Sequence, residues 1–389
     1  MSDRVVQNGS AEDVKVERVL VTGASGYIAC HVVKQLLESG TFIVRGTVRN
    51  LNNEKKVKPL KKLCPDSKYP LELAEAELLD EHCWERAMVD CKYVIHMASP
   101  FPASNPRDES ELIEPAVEGT INVLQACSKA NIKRVVLTSS IVAITAGNLD
   151  SKRELTEEDW SVENQCGPYE KSKLMAEKAA WDFVKNLPAD KKFDLVVINP
   201  GLVYGPVLHG SNCTSMEIPT RLLERQIPML PRLHLGVVDV RDLAKAHITA
   251  LTSVKGPGNR YIAVNKGIWL KDTAKILNDE FRPQGYRVPT AVCPSFGMYV
   301  YSLFDSGVRM ILPALGKEML LSNKKVTFTI TINHCSYVTL KTQGSAHELT
   351  YKLNWKTRTL LTKSMQSPVM LSPRWHGHGS IVVRSVVWV

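Results

Sequence analysis

The chain has 389 residues, a formal net charge of +9, 44% apolar residues and 23% charged residues. That length exceeds what one hydrophobic core usually organises, and the composition excludes disordered, collagen-like and low-complexity classes. Seven basic residues and a single acidic one, Glu348, follow Val326, so most of the positive excess sits at one end and no nucleic-acid partner is expected.

Residues 1–18 mix charged and polar residues without an apolar core, so no secretory signal is read there, and a disordered N-terminus is expected over 1–17. Val19-Leu20-Val21 is a short apolar run that ends in Thr22-Gly23, and residues 28–37 then carry apolar side chains at helical spacing until Gly40. This predicts strand, tight glycine turn and helix. A second strand is expected over 42–48 and a solvated, lysine-bearing helix over 54–63. Further buried strands are expected over 71–76, 93–97, 135–138 and 195–198, with helices over 79–89, 112–130 and 169–185. Strands alternating with helices of this length predict an α/β protein, a Rossmann doubly wound parallel sheet covered on both faces. After Pro200 the rhythm breaks into proline-rich loops with helices near 241–251 and 270–281. The division expected is a dinucleotide-binding domain over 18–200, a smaller C-terminal substrate lobe over 201–326 that partly returns to the sheet, and an atypical tail over 327–389. No apolar run reaches the ~18 residues of a membrane span; the longest candidate, 290–304, contains Pro294 and Gly297. Nine cysteines show no metal-ligand spacing and read as reduced thiols. A cytoplasmic protein without membrane association is expected.

The turn Thr22-Gly23-Ala24-Ser25-Gly26-Tyr27-Ile28-Ala29 supplies the first chemistry. Gly23 allows the sharp bend, Gly26 lets a pyrophosphate approach the backbone at the helix start, and Ala29 keeps helix and strand close. A glycine turn by itself is often only a turn; the strand before it and the helix after it give it meaning. Where an NAD site ends its second strand with an acid, this chain reads Thr47-Val48-Arg49-Asn50, with Lys55-Lys56 following. Arg49 can grip a 2′-phosphate in a planar fork and a lysine can add a second charge, so the cofactor read here is NADP(H).

Tyr169 and Lys173 form a Y-x-x-x-K pair, which a helix places on one face. A phenol normally titrates near ~10, and a neighbouring ammonium lowers it toward useful proton exchange. Leu137-Thr138-Ser139-Ser140, at the end of an apolar strand, supplies a hydroxyl to hold a reacting oxygen. His96, inside a strand end, reads as a packed structural residue. Asp239, Asp242 and His247 read as helix caps and partners of Arg241 rather than as a metal site.

Together these motifs resemble the extended short-chain dehydrogenase/reductases, within them the group of dihydroflavonol and cinnamoyl-CoA reductases and NADPH-dependent aldehyde and methylglyoxal reductases. Also similar are His96-Met97-Ala98-Ser99-Pro100, the stretch YEKSKLMAEKAAW from Tyr169 to Trp181, Pro200-Gly201-Leu202-Val203-Tyr204-Gly205-Pro206, and Asp239-Val240-Arg241-Asp242-Leu243-Ala244-Lys245-Ala246-His247. The similarity spans 18–326. It implies Ser140 as the anchor of the carbonyl oxygen, with Ser139 the alternative, Tyr169 as proton donor and Lys173 as pKa tuner and ribose contact. It implies cofactor contacts from Gly23, Ser25, Gly26, Tyr27, Ile28, Arg49 and Lys56. Glu77 and Leu78 fall beside the adenine, Met97, Ala98 and Ser99 beside the nicotinamide, Pro200, Gly201, Leu202 and Val203 over it, and Ser215 near a phosphate.

The activity expected is reduction of an aldehyde or ketone, a small-molecule substrate in a pocket with apolar walls from Phe101, Val142, Tyr204 and Leu208. Rival readings on the same fold are a nucleotide-sugar epimerase or dehydratase, against which Arg49 speaks, and a steroid-type hydroxyl dehydrogenase. A non-catalytic NADP(H) sensor would be expected to lack Tyr169 or Lys173. After Val326 the resemblance stops; residues 327–332 alternate as a strand would, and the tail is expected to pack poorly and to hold no catalytic residue.

Overall fold

The computed structural model of the chain describes residues 16–100, 108–208 and 216–329. Ten strands occur among them: β1 (Arg18–Val21), β2 (Ile43–Val48), β3 (Glu72–Glu75), β4 (Cys91–His96), β5 (Arg134–Thr138), β6 (Asp194–Pro200), β7 (Leu202–Tyr204), β8 (His234–Asp239), β9 (Asn259–Ala263) and β10 (Lys266–Trp269). Seven form one sheet in the order β3-β2-β1-β4-β5-β6-β9, with every pairing parallel. Their β-branched runs, such as Val135-Val136 and Val196-Val197-Ile198, are buried because helices cover both faces. Helices Tyr27–Ser39 and Val240–Thr252 bury Val32, Val33, Leu36, Leu243 and Ala246 in the core on one face. Helices Ser110–Lys129 and Pro168–Asn186 enclose Val123, Leu124, Cys127 and Ala180 on the other. The strand order reverses between β1 and β4, and the carboxyl ends of these two strands border a crevice, the position at which doubly wound folds bind ligands.

The region after Pro200, read from sequence as loops and two helices, contains four strands. β9 pairs with β6 and ends the large sheet, while β7, β8 and β10 form a three-stranded sheet with β8 in the middle. Each is short or glycine-interrupted, as in His-Leu-Gly-Val-Val-Asp of β8, so no period develops. At Gly201 a Cβ would lie 2.4 Å from the Gly236 carbonyl oxygen, so the link from β6 to β7 passes β8 backbone to backbone. A further cluster, including Leu222, Leu270, Ala274, Leu277 and Phe281, makes the core of the smaller lobe. The apolar run 290–304 contains only helix Ser295–Ser302, and no helix of the described residues is long and apolar enough to cross a membrane.

The strand reading of 327–332 is corrected at its start: Lys324–Thr329 is a helix. The Asn323 carbonyl accepts both the Thr327 N–H, at 3.1 Å, and the Thr327 hydroxyl, at 2.8 Å, and Val326 is 1% exposed in the main core. Phe101, Ser215 and the expectations for the N-terminus and for the tail after Thr329 lie outside the described residues.

Candidate active site

The glycine turn follows from β1. Gly23 has φ +64°, and a Cβ there would stand 3.2 Å from Ala98, so bend and close approach both require glycine. Gly26 is the N-cap of helix Tyr27–Ser39 and makes no side-chain capping bond, which leaves first-turn N–H groups for an anion. Thr22 fastens this turn to the end of β4. Its hydroxyl accepts the N–H groups of Met97 and Ala98, both at 2.9 Å, and so donates to His96 Nδ1, also at 2.9 Å. Burial, aided by the charge of Lys173, pushes the imidazole of His96 down to about 3. His96 is therefore a neutral structural acceptor.

In front of the turn lies a cleft of about 400 Å³. It gathers Gly23, Ser25, Gly26, Arg49, Lys56, Glu77, Leu78, Met97, Ala98 and Ser99, together with Thr47, Trp84 and Pro115. The cations nearby divide into two kinds. Arg18 and Arg45 are consumed by Glu72, at 3.0 and 2.8 Å. Arg49 and Lys56 are exposed at the cleft and have no ion-pair partner among the described residues. Trp84 was not read from sequence; its buried Nε1 has no hydrogen-bond partner among the described residues, and Trp84 lines this cleft. One oxygen of Glu77 accepts the N–H of Leu78 at 3.0 Å.

Helix Pro168–Asn186 and the end of β5 carry the residues expected from sequence to react. Tyr169 is 5% exposed and its phenol is hydrogen-bonded to Ser140. Lys173 Nζ donates to Ser99 Oγ at 3.0 Å and stands 5.8 Å from the Tyr169 ring centroid. Burial, with a smaller push from Glu170, raises the phenol above its ordinary value against the lowering effect of Ser140. Lys173 is not among these causes, so the lowering that the sequence argument assigned to it is not seen and desolvation sets the direction. Burial also lowers Lys173, to about 8. The two serines separate cleanly: Ser139 Oγ donates to buried Glu177 at 2.5 Å, which leaves Ser140 as the hydroxyl beside Tyr169.

Other predicted residues lie elsewhere. Tyr27 and Ile28 pack against the main core at the helix start, Val203 is buried within that core, and Leu202 packs against the core of the smaller lobe. The Pro200 carbonyl accepts the N–H of Ile141 at 3.0 Å, and Gly201 N–H donates to Ala263 at 3.1 Å. Tyr204 carries a buried hydroxyl with no partner among the described residues, and burial raises that phenol. Asp239 caps helix Val240–Thr252 and pairs with Arg241 at 2.5 Å; no cluster able to hold a metal occurs among the described residues. Besides Trp84, sequence reasoning missed Glu177, Asn199 and Arg260, which form a buried polar network behind Ser139.

The NAD dependent epimerase/dehydratase family matches residues 19–264. The chain belongs to that family, within the extended short-chain dehydrogenase/reductases, and is a nicotinamide-dependent oxidoreductase. Among its relatives, a cinnamoyl-CoA reductase of Medicago truncatula is 38% identical over 268 residues, covering 67% of this chain and 80% of that protein. An anthocyanidin reductase of Vitis vinifera is 32% identical over 287 residues, covering 69% and 82%. The solved structure of yeast methylglyoxal/isovaleraldehyde reductase Gre2 complexed with NADPH is similar with a TM-score of 0.65 at 29% identity, over 80% of this chain and 92% of that one.

Proposed function

We propose that this chain is an NADPH-dependent carbonyl reductase that converts an aldehyde or ketone to an alcohol. The observation that carries the reading is the hydroxyl pair of Tyr169 and Ser140 beside Lys173, whose ammonium is bonded to Ser99 in the wall of the cleft. The residues of the cleft fit the cofactor: two cations in its lining without an ion-pair partner among the described residues, a helix N-terminus without a side-chain cap, and the orphaned Trp84 Nε1. Arg49 and Lys56 would hold the 2′-phosphate, and the N–H groups after Gly26 the pyrophosphate. When bound, NADPH supplies the hydride that reaches the carbonyl carbon.

Ser140 donates to the carbonyl oxygen and fixes its position, and Tyr169 gives that oxygen its proton as negative charge develops. The raised pKa of Tyr169 keeps the phenol protonated at neutral pH, the state that reduction requires. Lys173 contributes positive charge beside the developing phenolate, which regains its proton from water. The fungal and plant relatives named above are reductases by name, and this supports reduction as the direction. The test is NADPH oxidation by purified protein with panels of aliphatic aldehydes, diketones and flavonoid-like ketones. Turnover with none of them, or equal turnover with NADH, would refute the reading.

A further inference from the structure

Tyr169, Lys173, Glu177 and Trp181 follow at four-residue steps, so one stripe of helix Pro168–Asn186 carries them all. The first two reach Ser140 and Ser99. Glu177, one turn farther, is 1% exposed. A carboxylate is buried at heavy cost unless its oxygens are fully bonded. Here Oε2 accepts Ser139 Oγ at 2.5 Å and Asn199 Nδ2 at 2.8 Å, while Oε1 accepts Arg260 Nε at 2.6 Å and Trp181 Nε1 at 3.4 Å. Asn199 Nδ2 also donates to the carbonyl of Ser140 at 3.1 Å. Arg260 Nη1 in turn donates to the carbonyls of Glu157 and Asp159, at 2.9 and 2.8 Å, and the guanidinium lies 3.6 Å from the Trp160 ring centroid.

One carboxylate thus ties together the helix of Tyr169, the end of β5 with Ser140, and residues 157–160 ahead of that helix. Packing alone would be served by an apolar side chain of similar volume. What the carboxylate adds is direction. Ser139 N–H donates to Ile198 and Ile141 N–H to Pro200, so the ladder with β6 continues past Thr138. Glu177 therefore holds Ser139 directly and the Ser140 carbonyl through Asn199, from the same helix stripe that brings Tyr169 to Ser140.

We propose that Glu177 is a positioning residue for the reduction, an inference that rests on the reading of Ser140 and Tyr169 given above. With Asn199 and Arg260 it sets the facing and spacing of the Ser140–Tyr169 hydroxyl pair without touching substrate or cofactor.

The test is single-turnover oxidation of bound NADPH by the carbonyl compound that turns over best, expressed per NADPH-bound molecule. It compares wild type with Ser139→Ala, Glu177→Gln and Tyr169→Phe. Ser139→Ala leaves the Glu177–Arg260 pair intact, and it decides the question if Glu177→Gln does not fold. Hydride transfer should fall about 10-fold in Ser139→Ala and about 10²-fold in Glu177→Gln, the scale of loss for a misplaced reacting group. NADPH Kd should stay within about twofold of wild type, and the solvent isotope effect should rise as proton donation limits the rate; a role confined to stability would change neither rate per loaded molecule nor isotope effect. Wild-type transfer in Ser139→Ala, with Tyr169→Phe inactive, would overturn the positioning role and leave the site reading intact. A Tyr169→Phe enzyme as fast as wild type would overturn both.

Discussion

Lys173 Nζ donates to Ser99 Oγ at 3.0 Å, joining the helix that carries Tyr169 to the segment that follows β4. The bond holds the ammonium between the Tyr169 phenol and the cleft, in surroundings that favour its neutral form. Because burial lowers its pKa to about 8, Lys173 is charged below that pH and loses its charge as pH rises through it. Reduction that needs the ammonium should therefore show kcat/KM for NADPH that is flat below about pH 8 and falls about tenfold per unit above it. In Lys173→Arg the charge persists, so the alkaline fall should disappear even where the rate is lower. A profile flat to pH 10 in the wild type would count against a role for the Lys173 charge.

Replacing Tyr169 by Phe removes the proposed proton donor and leaves the ring that fills its buried position. Turnover should fall by about 10²- to 10⁴-fold, the usual contribution of a placed general acid, while NADPH binding measured by fluorescence titration stays near wild type. Loss of binding in parallel with turnover would show that the phenol hydroxyl serves the cofactor site instead.

Arg49 is distinguished from Arg45, four residues earlier, only by what surrounds it. Arg45 is fixed by Glu72 and by the carbonyls of Ala87 and Val89, whereas Arg49 has no such partner among the described residues. Arg49→Asp should lower kcat/KM for NADPH about 10- to 100-fold, the scale of a charged hydrogen bond lost. The same change should raise it for NADH by offering the ribose a hydroxyl acceptor. An unchanged ratio of the two specificity constants would place phosphate recognition elsewhere.

The parts of this protein legible in sequence were those whose signal is local. The run Val19-Leu20-Val21 with its glycine turn, and the pair Tyr169 and Lys173, lie within single elements and give both period and chemistry. β7 to β10 were missed because β7 has only three residues, Gly236 and Gly267 interrupt β8 and β10, and β9 opens on the polar pair Asn259-Arg260; their strand character comes from pairing with β8 or β6. The partnership of Glu177 with Arg260 spans 83 positions. Its available signals were an acid on the buried stripe of one helix and an arginine beside the apolar run Tyr261-Ile262-Ala263. Neither charge names the other until the sheet brings β9 against β6.

Gly46 offers a last test, because it sits in β2 directly behind the phosphate turn. A Cβ there would lie 2.6 Å from the Ala24 Cβ. Neither side can easily yield: Ala24 N–H donates to the Thr47 carbonyl at 2.9 Å, and Gly23 N–H to Thr47 Oγ1 at 3.1 Å. Gly46→Ala should therefore displace the turn Gly23 to Gly26 and cost about 1–3 kcal/mol, as overpacking does. It should also raise KM for NADPH while kcat at saturating cofactor stays within about twofold, since Tyr169 and Ser140 lie on other elements. Removing the opposing methyl should undo the damage, so that Gly46→Ala with Ala24→Gly binds NADPH more tightly than Gly46→Ala alone, the non-additivity expected of residues in contact. A single Gly46→Ala variant with wild-type KM and unchanged melting would show that the turn is not braced by β2.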